Sequence, residues 1–231
     1  MINVYSKGTT TFNNNGLATL IPLSCEVKID INGAWQLTLE HPFDKEKRYA
    51  YLEKDAILRV TGIDCVREWT STTQFFRIYD TKKTLTSLSV IAFPLGMEAT
   101  YDAPIESLVI DNKTGASAAS DLDSYVKNHD SNNKYTLTSN VTRQARSQFE
   151  NTNLIAAISG SDENSFVNKW GGEVVYDNYP ISIKNIIGDQ TQDRAYPIRY
   201  GRNLTGLTHE IDASSVITRL YPLSSDDLRL N

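Results

Sequence analysis

The stretch Cys25-Glu26-Val27-Lys28-Ile29-Asp30-Ile31-Asn32-Gly33-Ala34-Trp35-Gln36-Leu37-Thr38-Leu39-Glu40 decides the fold. Val27, Ile29 and Ile31 alternate with Lys28 and Asp30, and Trp35, Leu37 and Leu39 alternate with Gln36, Thr38 and Glu40. A period of two is the signature of a half-buried strand. Asn32-Gly33 between the two runs predicts a β-hairpin, because both residues take positive φ at little cost. One face of the ribbon must then sit on a core.

Working outward, Ala56 to Thr61, Gln74 to Asp80 and Thr84 to Ala92 read as further strands, and the charged run Asp44 to Arg48 as a solvated loop. Short strands separated by turns predict a small barrel or sandwich over residues 1–103. From Pro104 the texture changes. Thr114 is a candidate N-cap for a helix whose Ala116, Ala119, Leu122 and Val126 recur at helical spacing until Asn128 and Asp130 end it. Tyr135 and Leu137 alternate. Asn153 to Ile158 and Glu163 to Trp170 read as shorter helices, the second capped by Ser161 or Asp162 and stopped by Gly171-Gly172. Glu173 to Asp177 and Pro180 to Ile187 read as a second hairpin turning at Asn178-Tyr179. Helices followed by a hairpin make residues 104–192 an α+β domain. Residues 193–231 return to β character at Pro197 to Tyr200, Leu204 to Ile211 and Val216 to Leu220. The fold class is α+β, mainly β.

Composition narrows the function. The 231 residues can bury one large core or two modest ones, and the 40% hydrophobic content is that of a globular protein. No run reaches the roughly eighteen apolar residues of a membrane helix, and the N-terminus does not read as a secretory signal. With 23 basic and 28 acidic residues the net charge is -5, which argues against a protein that grips phosphates, though DNA could slide past such a surface. Cys25 and Cys65 form no Cys-x-x-Cys pair and read as reduced, partly buried thiols.

Motifs for chemistry are sparse. His41, His129 and His209 have no zinc spacing and read as surface or turn residues. Ser159 and Ser161 lie in no nucleophile elbow. Asp121 with Asp123, and Asp226 with Asp227, lack a setting that would split their pKa values. The 12 glycines match no phosphate-cradling pattern. The sequons at Asn112, Asn140 and Asn203 carry no meaning without secretion. No catalytic, metal or cofactor residue is assigned, and no cofactor is expected.

Three stretches carry a resemblance. They are Cys25 to Gly33 running into Leu37 to Pro42 and then Phe75 to Tyr79; Glu163 to Glu173; and Arg199-Tyr200-Gly201-Arg202-Asn203-Leu204-Thr205-Gly206-Leu207, continued by Val216 to Pro222. Together the chain resembles the N-terminal region of siphophage and prophage tail-tip proteins, the phage minor structural, tail-associated lysin or endopeptidase tail family, similar to the contractile-tail baseplate hub. The resemblance implies a structural, non-enzymatic segment of a trimer that joins the tail tube to the tip and lines the DNA exit channel.

It also implies partners: further copies of the chain, the distal tail protein and the tape-measure protein, with DNA passing without specific binding. The place would be the virion tail tip, assembled in the host cytoplasm. Residues 1–103 would be the first hub barrel, 104–192 a decorating domain and 193–231 the start of a second barrel, incomplete because the chain is a fragment or a shortened form. Family structural positions would be Asn32, Gly33, Phe166, Trp170, Gly171, Gly172, Arg199, Tyr200, Gly201, Asn203, Leu204 and Arg219. Trp170 would pack against the second hairpin. The competing readings are a peptidoglycan hydrolase, and a carbohydrate-binding adhesin using Trp35, Trp69 and Tyr101 as surface aromatics.

Overall fold

In a computed structural model of the chain, residues 1–63 and 70–187 are described. They lie within one compact unit, Met1–Gly188.

Seven strands form the first sheet: β1 (Ile2–Tyr5), β2 (Ala18–Leu20), β3 (Ser24–Ile29), β4 (Trp35–Pro42), β5 (Ile57–Thr61), β6 (Thr73–Lys83) and β7 (Ser87–Pro94). Their order is β2-β1-β5-β6-β7-β4-β3, antiparallel throughout. The two edge strands are consecutive in the chain, joined only by residues 21–23. Laid flat, seven strands ~4.8 Å apart would separate those edges by about 29 Å, whereas the link reaches roughly 14 Å. The sheet therefore curls into a half-barrel, where the short strands separated by turns predict a small barrel or sandwich. Near the seam the backbone N–H of Ile21 donates to Nε2 of His41 on β4. The core is one face of that curl: Trp35, Leu37 and Leu39 of β4, Phe76 and Ile78 of β6, and Leu88, Val90 and Ala92 of β7 are buried.

The expected hairpin is present, with Val27 opposite Leu37 and Ile29 opposite Trp35. Its turn is longer than two residues. Gly33 N–H closes a turn on the Asp30 carbonyl at 3.1 Å, and Asn32 alone takes a positive φ, 58°. Ile31, expected on the core face, falls in this turn and is exposed. Cys25, expected to be partly buried, is exposed because β3 is an edge strand.

The second part begins with α1 (Ala99–Asp102) and β8 (Pro104–Thr114), followed by α2 (Gly115–His129), β9 (Thr136–Ser139) and β10 (Gln144–Asn153). β8 and β10 form a two-stranded ribbon, which the sequence reading missed because its polar residues dominate both strands. Thr114 caps α2, its hydroxyl accepting from Ser117 N–H. The buried stripe of α2 is Gly115, Ala118, Ala119, Leu122 and Val126; Ala116, expected inside, is exposed because the stripe passes through Ala118 instead. Then follow α3 (Leu154–Ser159), capped by the Asn153 side chain, and α4 (Phe166–Trp170). α4 starts at Phe166, later than expected: Asp162 caps no helix but braces the preceding loop, accepting from Asn164 N–H through its side chain and from Ser165 N–H through its carbonyl. Finally β11 (Glu173–Tyr176) and β12 (Pro180–Lys184) make the second hairpin, and β12 also pairs in parallel with β9. That parallel pair has no local sequence signal, since its strands are far apart in the chain.

Candidate assembly joint

The most specific polar geometry lies where the second hairpin meets the half-barrel. The first anchor is Asn32. Its left-handed backbone points the side-chain amide at β11, where Nδ2 donates to the Gly172 carbonyl at 3.0 Å and Oδ1 accepts from Val174 N–H at 2.8 Å. An amide bonded to both groups imitates the peptide of a neighbouring strand. Beside it Trp35, first residue of β4, meets Tyr176 edge-to-face at 5.6 Å, a geometry that favours aromatic pairs. Burial pushes the Tyr176 hydroxyl pKa up to about 12.

The second anchor is the turn of the second hairpin. Asn178, in left-handed conformation, accepts from Phe75 N–H at 2.8 Å, and its own N–H donates to Gln74 Oε1 at 3.1 Å. Asp177 accepts from Gln74 Nε2 at 2.9 Å and from Ser71 N–H at 3.1 Å. Gln74 is fully buried. Gly96 is required here, since a Cβ at that position would lie 2.7 Å from the Asn178 carbonyl oxygen.

A third anchor is ionic. Glu98 takes Arg77 of β6 on one oxygen and Lys134 on the other, and Lys134 also reaches Asp102 at 3.3 Å. Burial opposes the Lys134 ammonium, but the hydrogen bond and charge of Glu98, with the charge of Asp102, outweigh it and hold the pKa above its ordinary value. Tyr135 donates to Asp102; burial, then that hydrogen bond, drives its pKa far above the usual phenol range. Lys134 also lies 4.9 Å from the Tyr179 ring centre, close enough for a cation–π contact.

These residues are donors, acceptors and packing surface, arranged to hold two elements together. Elsewhere, Asp121 pairs with Lys113 and Asp123 with Lys127, so the two carboxylates do not act on one another. Among the described residues no group of three or more His, Cys, Asp or Glu is placed to hold a metal ion, and no helix is long and apolar enough to cross a membrane. An apolar cleft of about 520 Å³ lies between Tyr79, Phe93, Met97 and Tyr101, with Arg77 and Glu98 on its wall.

This fold is similar to that of a prophage tail protein. The solved structure of gp18 from Listeria monocytogenes EGD-e superposes with a TM-score of 0.64 at 17% identity, covering 99% of this chain and 64% of that one. The chain thus spans less than two thirds of that protein's length. No family model matches the sequence, and no curated protein matches it.

Of the positions singled out from sequence, the fold brings Asn32 against Gly172. Phe166 and Trp170 stack at 5.0 Å, both buried, but the Trp170 indole N–H donates to the Lys113 carbonyl at the end of β8, so that ring is oriented by the ribbon. Gly171 and Gly172 have φ of 79° and 100°. Gly33 carries no positive φ and closes the Asp30 turn. Arg199, Tyr200, Gly201, Asn203, Leu204 and Arg219 lie outside the described residues, as do Cys65, Trp69 and His209. Two expectations are corrected. His41 is not a surface residue but fully buried in β4; since Nε2 accepts from Ile21 N–H, Nδ1 is the nitrogen that donates to the Pro42 carbonyl. Trp35 is not a surface aromatic but buried at the joint. Sequence reasoning did not single out Gln74, Glu98, Arg77 or Lys134, which carry no local motif; Asn178 was visible as a turn residue only.

Proposed function

We propose that this chain is a structural module of a phage tail, the N-terminal part of a tail-tip hub. The observation that carries the reading is the likeness to the prophage tail protein over nearly the whole chain, together with the sequence resemblance in three ordered stretches. The hub would be a trimer that joins the tail tube to the tip, contacts the distal tail and tape-measure proteins, and lines a channel through which DNA passes unbound. The net charge of -5 suits such a channel. The edge strands β2 and β3, with Ile21 and Leu23 exposed between them, offer backbone groups and apolar surface that a neighbour could cover.

The test is to tag the chain in the phage or prophage particle that encodes it and to locate the tag by electron microscopy. Label at the tail tip, with three copies per particle, supports the hub. Label along the tube, or none on particles, overturns it. Clearing of a peptidoglycan gel by the purified chain would favour the hydrolase reading, and retention on cell wall the adhesin.

A further inference from the structure

Asn32-Gly33 and Asn15-Gly16 are the two Asn-Gly pairs of the chain. A glycine after asparagine leaves the backbone nitrogen unobstructed by a side chain, which is the arrangement most open to intramolecular deamidation. The glycine nitrogen attacks the asparagine Cγ. The bond from Cγ to the side-chain nitrogen breaks, ammonia leaves carrying the backbone proton, and a five-membered succinimide remains. Water then opens the ring at either carbonyl, giving aspartate or isoaspartate. The sum is amide plus water to carboxylate plus ammonium, with no other reactant.

The two pairs differ in how the asparagine side chain is held. Asn15 is exposed and its side chain has no hydrogen bond among the described residues, although the Gly16 N–H donates to Asn14 Oδ1 at 2.9 Å. At Asn32 both reacting groups are occupied: Nδ2 and Oδ1 are bonded to Gly172 and Val174, and the attacking Gly33 nitrogen is bonded to Asp30. The side-chain bonds hold the amide on Gly172 and Val174, while the Gly33 N–H is committed to the Asp30 carbonyl. The two side-chain bonds exist only while the second hairpin is docked, whereas the Gly33 bond belongs to the local turn.

We propose that Asn32 is a modification site governed by the joint: docking protects it, and undocking exposes it to deamidation that prevents redocking. A carboxylate has no proton to offer the Gly172 carbonyl, so the donor of the first anchor is lost and two oxygens face each other. Isoaspartate also lengthens the main chain in a turn whose register the hairpin needs. Opening of the joint is therefore recorded covalently.

The experiment incubates the full chain at mildly alkaline pH and follows both Asn-Gly sites by peptide mass spectrometry, with a synthetic peptide of residues 28–36 as reference. Modification at Asn32 should be roughly tenfold or more slower than in the peptide, because it proceeds only from the opened fraction, while Asn15, whose side chain is unbonded, should react faster than Asn32. Sub-denaturing urea, and separately Asn178→Ala at the second anchor, should bring Asn32 towards the peptide rate. In Asn32→Asp the Val174 amide should exchange hydrogen faster. The proposal fails if Asn32 in the native chain reacts as fast as the peptide, if neither urea nor Asn178→Ala accelerates it, or if Asn32→Asp leaves Val174 exchange unchanged.

Discussion

Asn32 and Val174, 142 positions apart, are joined by a 2.8 Å hydrogen bond from the Val174 N–H to the Asn32 side-chain oxygen, and the same side chain donates to Gly172. Replacing Asn32 by Ala leaves a backbone donor and acceptor without partners at a part-buried contact. The expected loss is about 1–3 kcal/mol, measured by urea unfolding, with the slope unchanged. Asn32→Gly, which relieves the left-handed backbone but removes the same bonds, should also destabilise. If Asn32→Gly matched the parent, Asn32 would be only a turn residue.

How much of this was legible follows from the range of each interaction. Alternation in β4 and in the stretch before Asn32 is local, so the hairpin could be read directly, and the run of short strands gave the β-rich first part. So could the Thr114 cap, which is fixed by residues within one turn. The joint could not. Asn32 announces a turn whether or not its amide binds Gly172, and Gln74 looks like any strand glutamine. Glu98 acquires its role only because the fold brings Arg77 and Lys134 to it. The β8–β10 ribbon was missed for another reason: its strands expose polar residues on most positions, and a bulge near Asn112 breaks their alternation.

The consecutive glycines after α4 should respond differently to alanine. Gly171, at φ 79° and ψ -164°, has nothing within 4 Å of an added Cβ, so Gly171→Ala meets backbone strain alone, about 1–3 kcal/mol. A Cβ on Gly172 would lie 2.8 Å from Ile183 Cγ2 and 3.0 Å from the Lys184 carbonyl oxygen, at φ 100°. Gly172→Ala should therefore be the more destabilising in thermal melts. Equal effects would mean that β12 yields freely there.

Trp170 separates packing from hydrogen bonding. Trp170→Phe keeps most of the stack on Phe166 but leaves the Lys113 carbonyl without its indole donor, an expected cost of roughly 1–2 kcal/mol. Trp170→Ala also opens a cavity and should cost about 3–5 kcal/mol. A smaller loss for Ala than for Phe by calorimetry would contradict this account.

The joint should also set the alkaline limit of stability. Tyr176 titrates near 10 when unfolded and at about 12 when folded, and Tyr135 and Lys134 are likewise raised by folding. In each case the folded state holds its proton more tightly, so the stabilisation is complete below the unfolded pKa and is lost as pH rises through the folded one. Between pH 10 and 12 the unfolded chain releases these protons first, and stability falls by roughly 1.4 kcal/mol per pH unit for a buried group such as Tyr176. Tyr176→Phe removes one such proton and should flatten the decline. Tyr135→Phe should flatten it too, while lowering stability at neutral pH because Asp102 loses its donor. Urea midpoints measured from pH 8 to 11.5 would show both. A parent chain whose midpoint is constant across that range would mean that the two phenols are not held as the structure places them.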